Sequence, residues 1–169
     1  LDLAVNFSTV GIDRLDLPEL LAKETALVGL DHHLLTVEIT ETRAINSAAV
    51  LDTVARLRLQ DFRLSIDDFG TGDSGLQRLC TLPFTELKID RSFVHNASRQ
   101  PHARAVLQSS IELARRLDLE VVAEGVEQMS DWRLLEKLGC GKAQGFLAAK
   151  PMPGELMFGF SSAWNLAAA

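Results

Sequence analysis

The sequence predicts an α/β fold, a (β/α) barrel of parallel strands and helices in which about six of the eight strands of a closed barrel are present. Three observations predict it. Short runs rich in Val, Ile, Leu and Phe alternate with stretches of helical spacing along the 169 residues. Each apolar run carries a polar residue near its C-terminal end, in order Asn6, Glu38, Asp67, Lys88, Glu124 and Gln144. The length also falls short of the roughly 250 residues typical of an eight-stranded barrel, so about two strands are expected before Leu1.

Strands are expected from Leu3 to Phe7, Leu34 to Ile39, Phe62 to Ile66, Glu86 to Ile89, Glu120 to Ala123 and Ala143 to Leu147. A helix from Leu17 to Val28 opens after Asp16, and one from Ala48 to Leu59 opens after Asn46 and Ser47, residue types that cap free N–H groups of a first turn. A third runs from Ala103 to Leu117 after Pro101. Its apolar face is drawn by Val106, Leu107, Ile111, Leu113, Ala114 and Leu117, with Arg104, Glu112, Arg115 and Arg116 mostly away from it. Shorter helices are expected from Ser74 to Leu79 and from Ser130 to Leu138. Repeated β-α units fit an open doubly wound sheet or a closed barrel. An open sheet collects its site at one switch point, whereas a barrel brings many strand ends to one mouth. Six polar strand ends favour the barrel.

Composition narrows the function classes. Hydrophobic residues make up 47% and charged residues 24%, ordinary values for one domain with one core. The formal net charge is -6 and the basic residues are scattered, which argues against long nucleic acid as a partner. Cys80 and Cys140 have neither metal-type spacing nor a second pair, so a reducing, cytoplasmic setting is expected. No apolar run approaches the roughly 18 residues that span a bilayer, and no membrane insertion by this segment is expected.

The strand-end residues carry the chemistry. Glu38 and Glu41 close an apolar strand three positions apart; either one alone reads as a half-exposed acid paired with Lys or Arg. Asp67 and Asp68, followed by Phe69-Gly70-Thr71-Gly72, suit a bridged pair of hard divalent cations, although Asp-Asp-x-Gly alone fits an ordinary turn equally well. Adjacent strand residues point to opposite sides, so both carboxylates reach one site only if the backbone turns sharply, and Gly70 and Gly72 are expected to allow it. Lys88, between apolar Leu87 and Ile89, either orients a water held by the metal or neutralises the carboxylates. Glu124 ends another strand, with Gly125 allowing close approach, while Glu127 reads as structural. Asn6 and Gln144 singly read as amides satisfying loop backbone; their matched placement raises them. Carboxylate and amide oxygens suit Mg²⁺ or Mn²⁺, and His32, His33, His95 and His102 lack ligand spacing, the last two falling in expected loops.

Six segments in order resemble the successive signatures of EAL domains: Val5-Asn6-Phe7-Ser8, Val37-Glu38-Ile39-Thr40-Glu41, Ile66-Asp67-Asp68-Phe69-Gly70-Thr71-Gly72, Leu87-Lys88-Ile89-Asp90-Arg91-Ser92-Phe93-Val94, Ala123-Glu124-Gly125-Val126-Glu127 and Gln144-Gly145-Phe146. The resemblance implies a modified TIM-type barrel, often dimeric, that hydrolyses cyclic di-GMP to linear pGpG with two Mg²⁺ or Mn²⁺ ions. It implies Asn6, Glu38 and Asp67 as metal ligands, with Asp67 bridging and Asp68 serving the second ion. Lys88 would position the attacking water, Glu124 and Gln144 would complete the water and metal network, and Glu41 would anchor the loop after the aspartates. A homodimer and an upstream sensor or cyclase-like domain are the partners it implies.

Two departures from the family pattern stand out. The Glu-Ala-Leu segment, whose glutamate ligates metal in the family, has no counterpart and is expected before Leu1, which makes residues 1–169 an N-terminally truncated EAL-like domain. Asp73 and Gly75 stand where the family usually has an aromatic and a serine. Three readings follow: a phosphodiesterase unit of a longer protein, a non-catalytic cyclic di-GMP receptor, or a fragment inactive when isolated.

Overall fold

The computed structural model describes residues 2–40, 47–71, 75–157 and 159–160. Along the chain run β1 (Leu3–Phe7), α1 (Thr9–Ile12), α2 (Leu17–Val28), a 3-10 turn (His32–Leu34), β2 (Leu35–Thr40), α3 (Ala48–Leu59), β3 (Arg63–Phe69) and α4 (Gly75–Thr81). There follow β4 (Glu86–Ile89), α5 (Arg91–Asn96), α6 (Pro101–Arg116), β5 (Glu120–Ala123), α7 (Met129–Leu138) and β6 (Lys142–Ala143).

The six strands form one parallel sheet in unbroken sequence order, β1 to β6. A doubly wound sheet reverses direction at a switch point, so this order is that of a barrel. The sheet is curled as well. Lys142 on β6 and Asp2 ahead of β1 belong to its opposite edges, yet Nζ of Lys142 lies 3.8 Å from Oδ2 of Asp2.

Alternation along the strands divides two faces. Val37, Ile39, Leu64, Ile66, Leu87 and Ile89 are fully buried and pack toward the helices. Helix α3 meets them with Val50, Val54 and Leu57, an i, i+4, i+7 stripe, after Ser47 accepts a hydrogen bond from the N–H of Val50 at 3.1 Å. Asp16 sits at the cap position of α2 without capping it, because Arg14 engages its carboxylate at 2.6 Å.

Several expectations shift. The buried face of α6 is Ala103, Leu107, Ser110, Ile111 and Ala114, while Val106 and Leu117 are exposed, so the stripe is narrower and more polar than its apolar residues implied. His95 and His102 lie on helices rather than in loops. Helix α5 begins directly after β4, with Asp90 accepting from the N–H of Ser92 at 2.9 Å. His32 is structural, stacked on Phe62 with ring centroids 4.3 Å apart. The last strand is only two residues long: the chain leaves the ladder at Gly145, where a Cβ would run into the backbone of Val126. Among the described residues, no helix is long and apolar enough to cross a membrane.

Candidate metal centre

On the face opposite the helices the same alternation places Glu38 on β2, Ser65 and Asp67 on β3 and Lys88 on β4. Asn6 pairs in register with Glu38, Glu38 with Ser65, and Thr40 with Asp67. Glu124 follows β5, its N–H held by the carbonyl of Ile89 at 3.0 Å. Four strands thus aim their C-terminal ends at one place.

Lys88 is the centre of the cluster. Its side chain is 5% exposed, and Nζ lies 2.9 Å from Oε2 of Glu38, 3.1 Å from Oδ1 of Asp67 and 2.6 Å from Oε1 of Glu124. Burial alone would push the ammonium toward its neutral form. Hydrogen bonds to Glu124 and Glu38 and the charge of Asp67 outweigh it, so the Lys88 pKa rises and the group stays charged. Burial likewise lifts the Glu124 carboxyl above its ordinary range. The hydrogen bond from Lys88 opposes that shift, and the charges of Asp67 and Asp68 reinforce it.

Asp68 joins the cluster through backbone geometry. Its φ is +57°, in the left-handed region that Asp tolerates better than most side chains, and the β3 to β4 register shifts between Ile66 and Phe69. The sharp turn expected of Gly70 and Gly72 therefore begins at Asp68 itself, with Gly70 next in line at φ +97° and Gly72 outside the described residues. As a result Asp67, Asp68 and Glu124 each present an oxygen within 4.8 Å of the others. These are hard, anionic donors without sulfur or imidazole, a set that fits a divalent cation of the Mg²⁺ or Mn²⁺ type.

Asn6 and Gln144 stand at the margins. Asn6 is exposed on the edge strand, opposite Glu38 in register. Gln144 lines the same cleft as Glu38 and Lys88, and its backbone ties to Ala123 and Val126 at 2.8 and 3.0 Å. Glu41 and Asp73 lie outside the described residues; Gly75 is the buried first residue of α4. Glu127 belongs elsewhere, 3.7 Å from Nε2 of His95.

A second layer of charge went unread in the sequence. Below the carboxylates, Arg63 pairs with Glu120 and lies 3.7 Å from Asp2 and 3.9 Å from Glu86, and Lys142 lies 2.9 Å from Glu120. Each strand member of this layer precedes an inward-facing residue by two positions: Arg63 before Ser65, Glu86 before Lys88, Glu120 before Val122 and Lys142 before Gln144. That two-residue period was the available clue.

The EAL domain family model matches residues 1–151. The chain belongs to the EAL domain family. Cyclic di-GMP phosphodiesterase RocR of Pseudomonas aeruginosa is 46% identical over 117 residues, 69% of this chain and 30% of that protein. The EAL domain of Mycobacterium smegmatis DcpA superposes with a TM-score of 0.91 at 34% identity, covering 96% of this chain and 74% of that one. The Klebsiella pneumoniae BlrP1 structure, a manganese and cyclic di-GMP complex, gives 0.83 at 30% identity, with 89% and 39% covered. The chain spans less than a third of the length of the curated relatives it matches first. These EAL likenesses agree with the barrel order of the sheet, and the acidic cluster is suited to a divalent cation.

Proposed function

We propose that this chain carries the catalytic centre of a metal-dependent phosphodiesterase that hydrolyses cyclic di-GMP to linear pGpG, with two Mg²⁺ or Mn²⁺ ions in the site. The observation that carries the reading is the convergence of Asp67, Asp68 and Glu124 beside the Lys88 ammonium. The name of RocR and the manganese and cyclic di-GMP complex of BlrP1 support the same substrate and metal class.

In this reading Asn6, Glu38, Asp67 and Asp68 would hold the ions. Divalent ions held there would supply an activated water and offset charge building on the phosphodiester. Lys88 remains cationic and orients the attacking water by hydrogen bonding. Glu124 accepts from Lys88 at 2.6 Å while no ion is bound, and with ions bound it would join Gln144 in the water and metal network. Gln144 completes the water and metal network, and Glu41 anchors the loop after the aspartates. The unit is taken as residues 1–169 of an EAL-like domain whose further strands come from additional chain, in keeping with the 74% of the DcpA domain that is covered. A homodimer, an upstream sensor or cyclase-like domain and a cytoplasmic location belong to the same proposal.

The test is cyclic di-GMP turnover by this chain and by a longer chain that contains it, followed as pGpG with Mn²⁺ and with chelator, alongside equilibrium binding. Metal-dependent pGpG from the longer chain supports the proposal. Binding without turnover there would make the domain a receptor.

A further inference from the structure

We infer that Lys88 is the resident counter-ion of the metal site: its ammonium gathers the carboxylates when no divalent cation is bound, and an entering cation must displace it from Asp67 and Glu124. The inference rests on the metal-site reading above and adds a competition within it.

The geometry carries it. Asp67 and Glu124 are two of the three residues whose oxygens converge closely enough to share an ion, and both already lie within 3.1 Å of Nζ of Lys88. A Mg²⁺ ion sits about 2.0–2.1 Å from its oxygens. Bound to these carboxylates, it would stand only a few ångström from a buried ammonium, in surroundings that screen like charges poorly. Two cations so placed compete for the oxygens of Asp67 and Glu124, and an entering ion takes those oxygens from Nζ.

Charge explains why the site does not simply exclude the metal. Glu38, Asp67, Asp68 and Glu124 are four carboxylates around one ammonium, so Lys88 leaves negative charge for a divalent ion to fill. Lys88 therefore holds the unloaded site together and at the same time weakens metal binding.

Removal of the charge has two effects of opposite sign. In Lys88→Met, the apolar stem is kept and the carboxylates lose their counter-ion. The unfolding temperature in chelator should drop by several degrees, Mn²⁺ measured by calorimetric titration should bind at least tenfold tighter, and saturating Mn²⁺ should restore most of the lost stability. A lysine that only props up the structure would lower stability and metal affinity together. Unchanged or weaker Mn²⁺ binding by the folded variant overturns the inference. Should the variant fold only with Mn²⁺ present, that dependence is itself the expected result.

Wild-type protein gives a second readout. With lysine labelled in ¹⁵N, the Lys88 ammonium resonance should move as Mg²⁺ is titrated, in step with site occupancy. A resonance unmoved at saturation overturns the inference while leaving the metal site standing. Failure of the wild type to bind Mn²⁺ at all removes the metal reading itself.

Discussion

Nζ of Lys88 and Oε1 of Glu124 meet at 2.6 Å across β4 and β5, closer than the contacts Lys88 makes with Glu38 and Asp67. One buried cation thus holds three strand ends, and the carboxylates it gathers repel one another. Function and stability pull in opposite directions at such a place.

Asp67→Asn removes one of the clustered negative charges while keeping the side chain's shape. In chelator, urea unfolding should show a gain of about 1 kcal/mol, because Lys88 keeps Glu38 and Glu124 as partners and the repulsion that helps lift the Glu124 carboxyl falls. Mn²⁺ affinity should fall at least tenfold in the same protein. A loss of stability would mean that attraction to Lys88 outweighs repulsion among the acids.

Gly145→Ala should destabilise by about 2–4 kcal/mol, since a Cβ there collides with the Val126 backbone and one of the two segments must move. The shift also disturbs the Gln144 backbone ties to Ala123 and Val126. Thermal unfolding reads the first effect. Loss of Mn²⁺ affinity beyond that of a distant destabilising substitution reads the second.

Arg63→Met tests the lower charge layer. Glu86 is buried, and its ion-pair partner among the described residues is Arg63, so the variant should cost about 3–5 kcal/mol in denaturant unfolding. Arg116→Ala breaks only an exposed helical pair with Glu112 and should change stability by about 0.5 kcal/mol or less. Equal effects from the two variants would contradict the structural weight given to the layer.

Cys140 and Cys80 should differ in reactivity. Burial is the main influence on the Cys140 thiol and pushes its pKa up against the lowering contributions of backbone groups at Lys142 and Ala123; Cys80 is exposed. A raised thiol pKa leaves less thiolate at a given pH. Alkylation mapped by mass spectrometry near pH 8 should therefore label Cys80 well before Cys140, with Cys140 catching up as pH rises.

Much of the fold was legible because local patterns and tertiary structure agree. Glu86–Ile89 and Glu120–Ala123 are short apolar runs bounded by polar residues, and both form strands at the expected bounds. The misses have tertiary causes. Asp90 begins a six-residue helix too short to show periodicity, and β6 ends early because Gly145 has to pass Val126. Of the site, Glu38, Asp67, Lys88 and Glu124 could be read from polar residues at strand ends. The positive φ at Asp68 could not, since it follows from the register shift against β4. The sharing of one ammonium among three carboxylates also needs four strands, β2 to β5, in place before it exists.

The decisive measurement is pGpG release from cyclic di-GMP in a chain containing the complete domain, followed against Mn²⁺ concentration for wild type and Asp67→Ala. Saturable, metal-dependent release by the wild type and at least a hundredfold loss in the variant is the predicted result. Near wild-type turnover in Asp67→Ala, or turnover that survives chelation, would contradict the account.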